Sequence, residues 1–377
     1  VFKHDIDPRA YPKHQHYTPG EAGYADPGGA YYVPYKLNSD NELTIRQNGR
    51  WVKIDWKSFD IGKDVHAIFQ QKPGQTALNV IHDADPSKIF GQLSAQGTLL
   101  LVNHNGILFG KGSRTNLKSL VATTMDLQEG SKEFDYHWLA ADGAPVSDDR
   151  SLKGKVVNQG VISSGANSHV FLLAAHAENS GTIEAGEDSY VYLAGTDEFK
   201  WKLEKTDGAR LKETIGLNYT GEAVNAGSTA DEPGGSILAD ISQVGIFGKV
   251  VRQEGNIRCR ATVQQDGRIR LAASETVLTG KKSHIEASHK PILTDAGEEE
   301  IFAGLTHSKD TAVNLSGPLV GDGDIDTQSK GDPIDVIHQG SIHAPSAQVN
   351  IFAGDGGNIF LAPGSLIDVS GYEVLDK

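Results

Sequence analysis

Cysteine occurs once in the 377 residues, at Cys259, which excludes an internal disulfide framework, a thiolate zinc site and the C-x-x-C-H attachment of a c-type haem. That scarcity fits a cytosolic chain or one exported by a bacterium, and does not choose between them. Basic residues are outnumbered 35 to 49, for a formal charge of -14. Such a balance argues against a nucleic-acid partner, which calls for a basic patch. No run of 18 apolar residues exists, so nothing reads as a membrane-spanning helix. G-x-S-x-G, H-E-x-x-H and phosphate-loop patterns are missing as well, and no cofactor is expected. The chain starts at Val1 rather than Met, which fits a mature form whose signal peptide has been removed. Helical periodicity is nearly absent. Its best stretch runs from Trp201 to Leu217, interrupted by Gly208 and Gly216.

Glycine is plentiful, at 43 residues without a G-X-Y period, which favours a turn-rich β protein. Residues 1–36 differ from the rest. Pro8, Pro12, Pro19, Pro27 and Pro34 alternate with Tyr11, Tyr17, Tyr24, Tyr31, Tyr32 and Tyr35 and with His4, His14 and His16. Proline at this density forbids helix and central strand, so an extended arm is expected. Its rings would pack along its own domain or dock on a neighbouring subunit.

From residue 43 onward, short alternating or wholly apolar runs such as Leu43-Thr-Ile45, Val52-Lys-Ile54 and Leu99-Leu-Leu-Val102 are separated by turn residues, the pattern of short strands. Repetition organises them. Asn158-Gln-Gly160-Val-Ile162 returns 21 residues later as Asn179-Ser-Gly181-Thr-Ile183, and Val170 and Leu172 return as Val191 and Leu193. Weaker copies surround Ile257, Ile342 and Ile367. A unit this short, without a helix, cannot bury its apolar face alone and must stack on its own copies. Stacking at about 4.8 Å per coil makes a β-helix, whereas a β-sandwich gives no fixed offset. The polar stretches 128–152, 196–235 and 295–336 break the rhythm and read as loops or hairpins ejected from the stack. The remainder of residues 37–377 amounts to about 11 coils in one rod of about 50 Å.

The run from Ser87 through Phe90-Gly91, Gly97, Asn103-His-Asn105-Gly-Ile107 and Gly110 resembles the secretion domain of two-partner-secretion exoproteins, the family of filamentous haemagglutinins. The likeness extends upstream through Trp51 to Gly62 and Ala67 to Gln71, and downstream through Asn116 to Leu127, covering residues 43–128 closely. It implies an all-β, right-handed parallel β-helix, a solenoid recognised in the periplasm by a dedicated outer-membrane pore protein. It also implies export to the bacterial surface or beyond and service as a non-enzymatic adhesin or extracellular fibre subunit. The family's N-P-N-G-I signature stands here as Asn103, His104, Asn105, Gly106 and Ile107, with His104 in place of proline. Asn105-Gly106 is a tight-turn pair, and the Asn103 amide can bond turn backbone. For N-P-N-L the nearest match is Asn38-Ser-Asp-Asn41-Glu-Leu43. The arm has no counterpart in that resemblance, and it suggests head-to-tail filaments.

Two other classes stay open: a module capturing a host protein or glycan through the ejected loops, and a β-helix carbohydrate-active enzyme. Asp83 and Asp85, or Asp322, Asp324 and Asp326, would be the enzyme's carboxylates. The last three also alternate as calcium ligands do. Thr327 and Pro333 stand where an EF-hand needs Gly and Glu, so no metal site is expected.

Overall fold

The computed structural model describes residues 35–37, 41–132, 134–140, 154–205, 211–230, 233–260, 267–288, 292–293, 299–300, 312–316, 333–345, 347–354 and 356–370. Their regular structure is entirely strand, arranged as a parallel β-helix with three strand columns per coil.

One column is a sheet of twelve strands. Its first strand, Tyr35–Leu37, lies antiparallel on Glu42–Arg46, with Tyr35 opposite Ile45. The other eleven follow in parallel, from Glu42–Arg46 to Leu366–Asp368. The remaining two columns are joined into one sheet of seventeen strands. They fuse through Gln243–Gln253 and Arg268–Thr279, long strands that run through both columns and shift register between Gly248 and Val250.

The 21-residue offset becomes vertical register. Asn158 pairs with Asn179, Ile162 with Ile183, Val170 with Val191 and Leu172 with Leu193. Ile162, Ile183, Ile237, Ile257, Ile285 and Ile342 form a buried stack that Ile367 continues. Each contributes about 1.5–3 kcal/mol by leaving water. At the corner beside them Asn158, Asn179, Asn225 and Gln253 pass side-chain hydrogen bonds upward at 2.8, 2.8 and 2.9 Å. A buried amide ladder of this kind satisfies turn groups that would otherwise cost free energy. The glycine of the repeat follows from close approach: a Cβ on Gly181 would lie 2.2 Å from the Gly160 carbonyl oxygen.

Three sequence expectations are corrected. Trp201 to Leu217 is no helix but a hairpin, Glu198–Lys205 antiparallel to Leu211–Leu217. Its period is two: Phe199 and Trp201 are buried, and Leu203 packs on the same cluster. The expected ejected stretches also contain coil rungs, Glu222–Asn225 from 196–235 and Ala312–Ser316 from 295–336. Tyr35, placed in the arm, belongs to the strand capping its own first coil. Tyr11, Tyr17, Tyr24, Tyr31 and Tyr32, like His4, His14 and His16, lie outside the described residues, as do Asn38, Asp322, Asp324 and Asp326.

Segments from the first two irregular stretches meet. Asp126–Leu127, Asp135–Leu139 and the hairpin form a four-stranded antiparallel sheet lying on the outside of the coils. Beneath it sits a second apolar cluster built from Leu100, Val121, Phe171, Tyr192 and Phe247 on the coil and Trp138, Phe199 and Trp201 on the flanking sheet. This explains strands such as Thr98–Val102 and His169–Ala174, apolar on both faces and buried throughout.

Candidate functional site

Residues Asn103, His104, Asn105, Gly106 and Ile107 turn the chain from strand Thr98–Val102 into Ile107–Phe109. The Gly106 N–H closes the turn on the Asn103 carbonyl at 2.9 Å. Gly106 has φ +117°, a conformation open to glycine and strained for other residues. The Asn103 side chain is fully buried. Its Nδ2 donates to the Asp85 carbonyl at 3.1 Å and to Ser87 Oγ at 3.0 Å, and its Oδ1 accepts the Asn105 N–H at 2.9 Å. Asn105 in turn donates to the Asp83 carbonyl at 2.8 Å. The turn is thus fastened to the preceding coil by two amides. Toward the following coil, the Asn103 N–H donates to the Thr123 carbonyl at 3.0 Å.

His104, at the proline position of the signature, reaches Asp126 at 2.9 Å. Its hydrogen bond to Asp126 outweighs burial and raises its pKa, while the same bond lowers that of Asp126. Asp126 begins the first strand of the flanking sheet. The signature turn therefore sits at the foot of that sheet, at the corner where both excursions leave the rod. Nothing in the sequence marks Asp126 as its partner, because the contact crosses one coil. Asn41, from the second signature, has φ +60° and its carbonyl accepts the His66 N–H.

Of the first pair of carboxylates considered for catalysis, that of Asp83 accepts the Asp85 N–H, and the backbone carbonyls of both residues accept from the signature amides. Among the described residues no group of three or more His, Cys, Asp or Glu is arranged to hold a metal.

A family model for the TPS secretion domain matches residues 34–287. The chain belongs to the TPS secretion domain family. These domains are secretion modules of exoproteins that leave through the periplasm by two-partner secretion, engaging an outer-membrane transporter and reaching the cell surface or beyond. The crystal structure of the HMW1 secretion domain from Haemophilus influenzae superposes with a TM-score of 0.66 at 20% identity. It covers 93% of this chain and 83% of that one, a likeness of fold. Two heme/hemopexin-binding proteins of Haemophilus influenzae are also similar, at 30% identity over 156 residues and 35% over 109. Those segments are 36% and 28% of this chain, but 17% and 12% of the relatives.

Two buried features were not foreseen. Glu213 of the flanking hairpin accepts from Arg270 at 2.7 Å, from Trp201 Nε1 at 2.8 Å and from the Tyr192 hydroxyl. His169 is buried among Phe134, Tyr136, Phe171 and Trp201 at ring separations of 5.1–6.2 Å. Neither of its ring nitrogens has a hydrogen-bond partner among the described residues, and burial pushes its pKa down to about 3.

Proposed function

We propose that this TPS domain directs export of a non-enzymatic surface adhesin or extracellular fibre subunit, and that the pore partner reads the corner built by Asn103, His104, Asn105, Gly106 and Ile107. The observation that carries the proposal is the division of labour in that turn. Asn103 is buried and structural, whereas His104 and Asn105 stand partly open at the foot of the flanking sheet. The ligand in the names of the heme/hemopexin-binding relatives is not carried over, because the shared segments are a small part of those proteins.

Secretion of two variants beside the cognate transporter tests this reading. Asn103→Ala removes three bonds of a buried amide, at about 1–3 kcal/mol, and should lower both melting temperature and released protein. His104→Ala loses a half-exposed ion pair worth under about 1 kcal/mol. It should leave melting unchanged and reduce release. Normal release of both variants would remove the turn from partner recognition. Head-to-tail assembly through Tyr11, Tyr17, Tyr24, Tyr31 and Tyr32 belongs to the fibre reading. Negative-stain microscopy showing monomeric rods alone would end that part.

A further inference from the structure

The coil face away from the flanking sheet carries a second feature. Strands His66–Gln70, Gln92–Ala95 and Arg114–Leu117 are successive rungs, with Ile68 above Ser94 and Ser94 above Asn116. Beside them lies an open groove of about 590 Å³, lined by Ile68, Gln70, Gln71, Ser94, Gln96 and Asn116. Its lining carries no charge. Gln70, Gln96 and Asn116 are exposed and come from consecutive coils, each a primary amide that donates and accepts. Gln70 and Gln96 follow the paired Phe69 and Ala95 and stand at the same place on adjacent coils, whereas Asn116 pairs with Ser94, two residues along the strand. The groove is braced. Gln71 is buried and donates to Gln47 at 2.7 Å, His66 holds Ser94 at 2.8 Å, and Arg46 holds Gln70 at 3.1 Å. Of the neighbouring cations, Arg46 is occupied by Gln70 and Lys118 by the Ala166 carbonyl.

We infer that this groove binds a neutral linear oligosaccharide lying obliquely across three successive coils. Hydroxyl groups donate and accept as the amides do, a linear chain of sugars can meet one amide on each of three consecutive coils, and Ile68 offers an aliphatic patch to sugar C–H faces. An anionic polymer finds no cation in the lining. An extended peptide cannot add as a strand, since each of these rungs is already paired above and below. The groove lies apart from the signature corner, and binding by the purified folded chain does not depend on export, so either reading can fail without the other.

Calorimetry with cellohexaose, chitohexaose and xylohexaose, alongside hexagalacturonate and an extended Ser/Thr peptide, tests the inference. At least one neutral hexasaccharide should bind, more tightly than its trisaccharide. Gln96→Ala with Asn116→Ala should weaken it by about tenfold or more, as loss of two hydrogen bonds implies. The charge-bearing isosteres Gln96→Glu and Asn116→Asp should do the same, and they keep the test sound if the alanine pair folds poorly. No binding by any neutral glycan, preference for the anionic chain or the peptide, or affinity of the isosteric variant within about twofold of the parent would overturn it.

Discussion

Replacing Glu213 by alanine should detach the flanking hairpin while leaving the coils stacked. Glu213 and Arg270 are 8% and 5% exposed at their side chains, so their pairing is of the buried kind. Removing one member of a buried pair strands the other, at about 3–5 kcal/mol. Here Arg270 also donates to Tyr192 at 2.9 Å and Gln243 at 2.8 Å, which tempers the loss toward the lower figure. Trp201 loses the acceptor of its indole N–H. Its fluorescence should therefore shift to the red, and amide exchange should rise across Glu198–Lys205 and Leu211–Leu217 before it rises in His169–Ala174. Arg270→Met alone should cost less than Glu213→Ala, and combining the two should cost less than their sum by about 1 kcal/mol or more, the mark of contacting residues. A Glu213→Ala chain within about 0.5 kcal/mol of the parent, or strictly additive effects, would refute the idea that this network holds the sheet down.

Two pH dependences follow from histidines, His176 partly buried and His169 fully buried. His176 presents one ring nitrogen to Glu178 and the other to Glu222, each at 3.2 Å. Burial opposes its charge, but the two carboxylates outweigh burial and raise its pKa. Its stabilisation is complete below the unfolded pKa of about 6.5 and is lost as pH rises through the higher folded value. The difference in denaturation midpoint between the parent and His176→Asn should therefore shrink from pH 6 to pH 9; a constant difference would refute it. His169 behaves oppositely. Burial, then Lys118, holds it neutral down to about pH 3, so the unfolded chain takes up a proton first and stability falls as pH drops from about 6.5 toward 3. His169→Phe keeps a ring among Tyr136, Phe171 and Trp201 and should flatten that acid limb in urea melts. An unchanged limb would mean another group controls it.

The coil was legible because stacking obeys sequence distance. A fixed offset of 21 residues put Asn on Asn, Ile on Ile and Leu on Leu, and the register repeats that arithmetic. About eleven coils were expected, and among the described residues the twelve-stranded sheet has eleven parallel rungs after its antiparallel cap. Asn103 could be read as a turn amide because its bond to the Asn105 N–H spans two residues. The ion pair of His104 could not, since Asp126 is 22 positions away and reached across one coil. The flanking sheet was hidden for the same reason: Trp138 pairs with Phe199, across two intervening rungs of the rod. Its traces were present in the period-two run Phe199-Lys-Trp201-Lys-Leu203 and in coil strands with no polar face.

Those doubly apolar strands also dictate an order of burial. Their inward residues, such as Leu99, Leu120, Val170 and Val191, are covered as soon as one coil stacks on the next. Their outward residues, Leu100, Val121, Phe171 and Tyr192, are not. Cover comes from Asp135–Leu139 paired with Glu198–Lys205, and the two leave the same corner two coils apart. The pairing cannot form until the rungs His169–Ala174 and Tyr190–Gly195 bring those segments together, because closing so long a loop before stacking has an entropy cost without matching contacts. The inner core thus precedes the outer one. The outer one then depends on a few cross-links, Glu213 to Arg270 foremost, which is why loosening that link should uncover Trp201 without unwinding the rod.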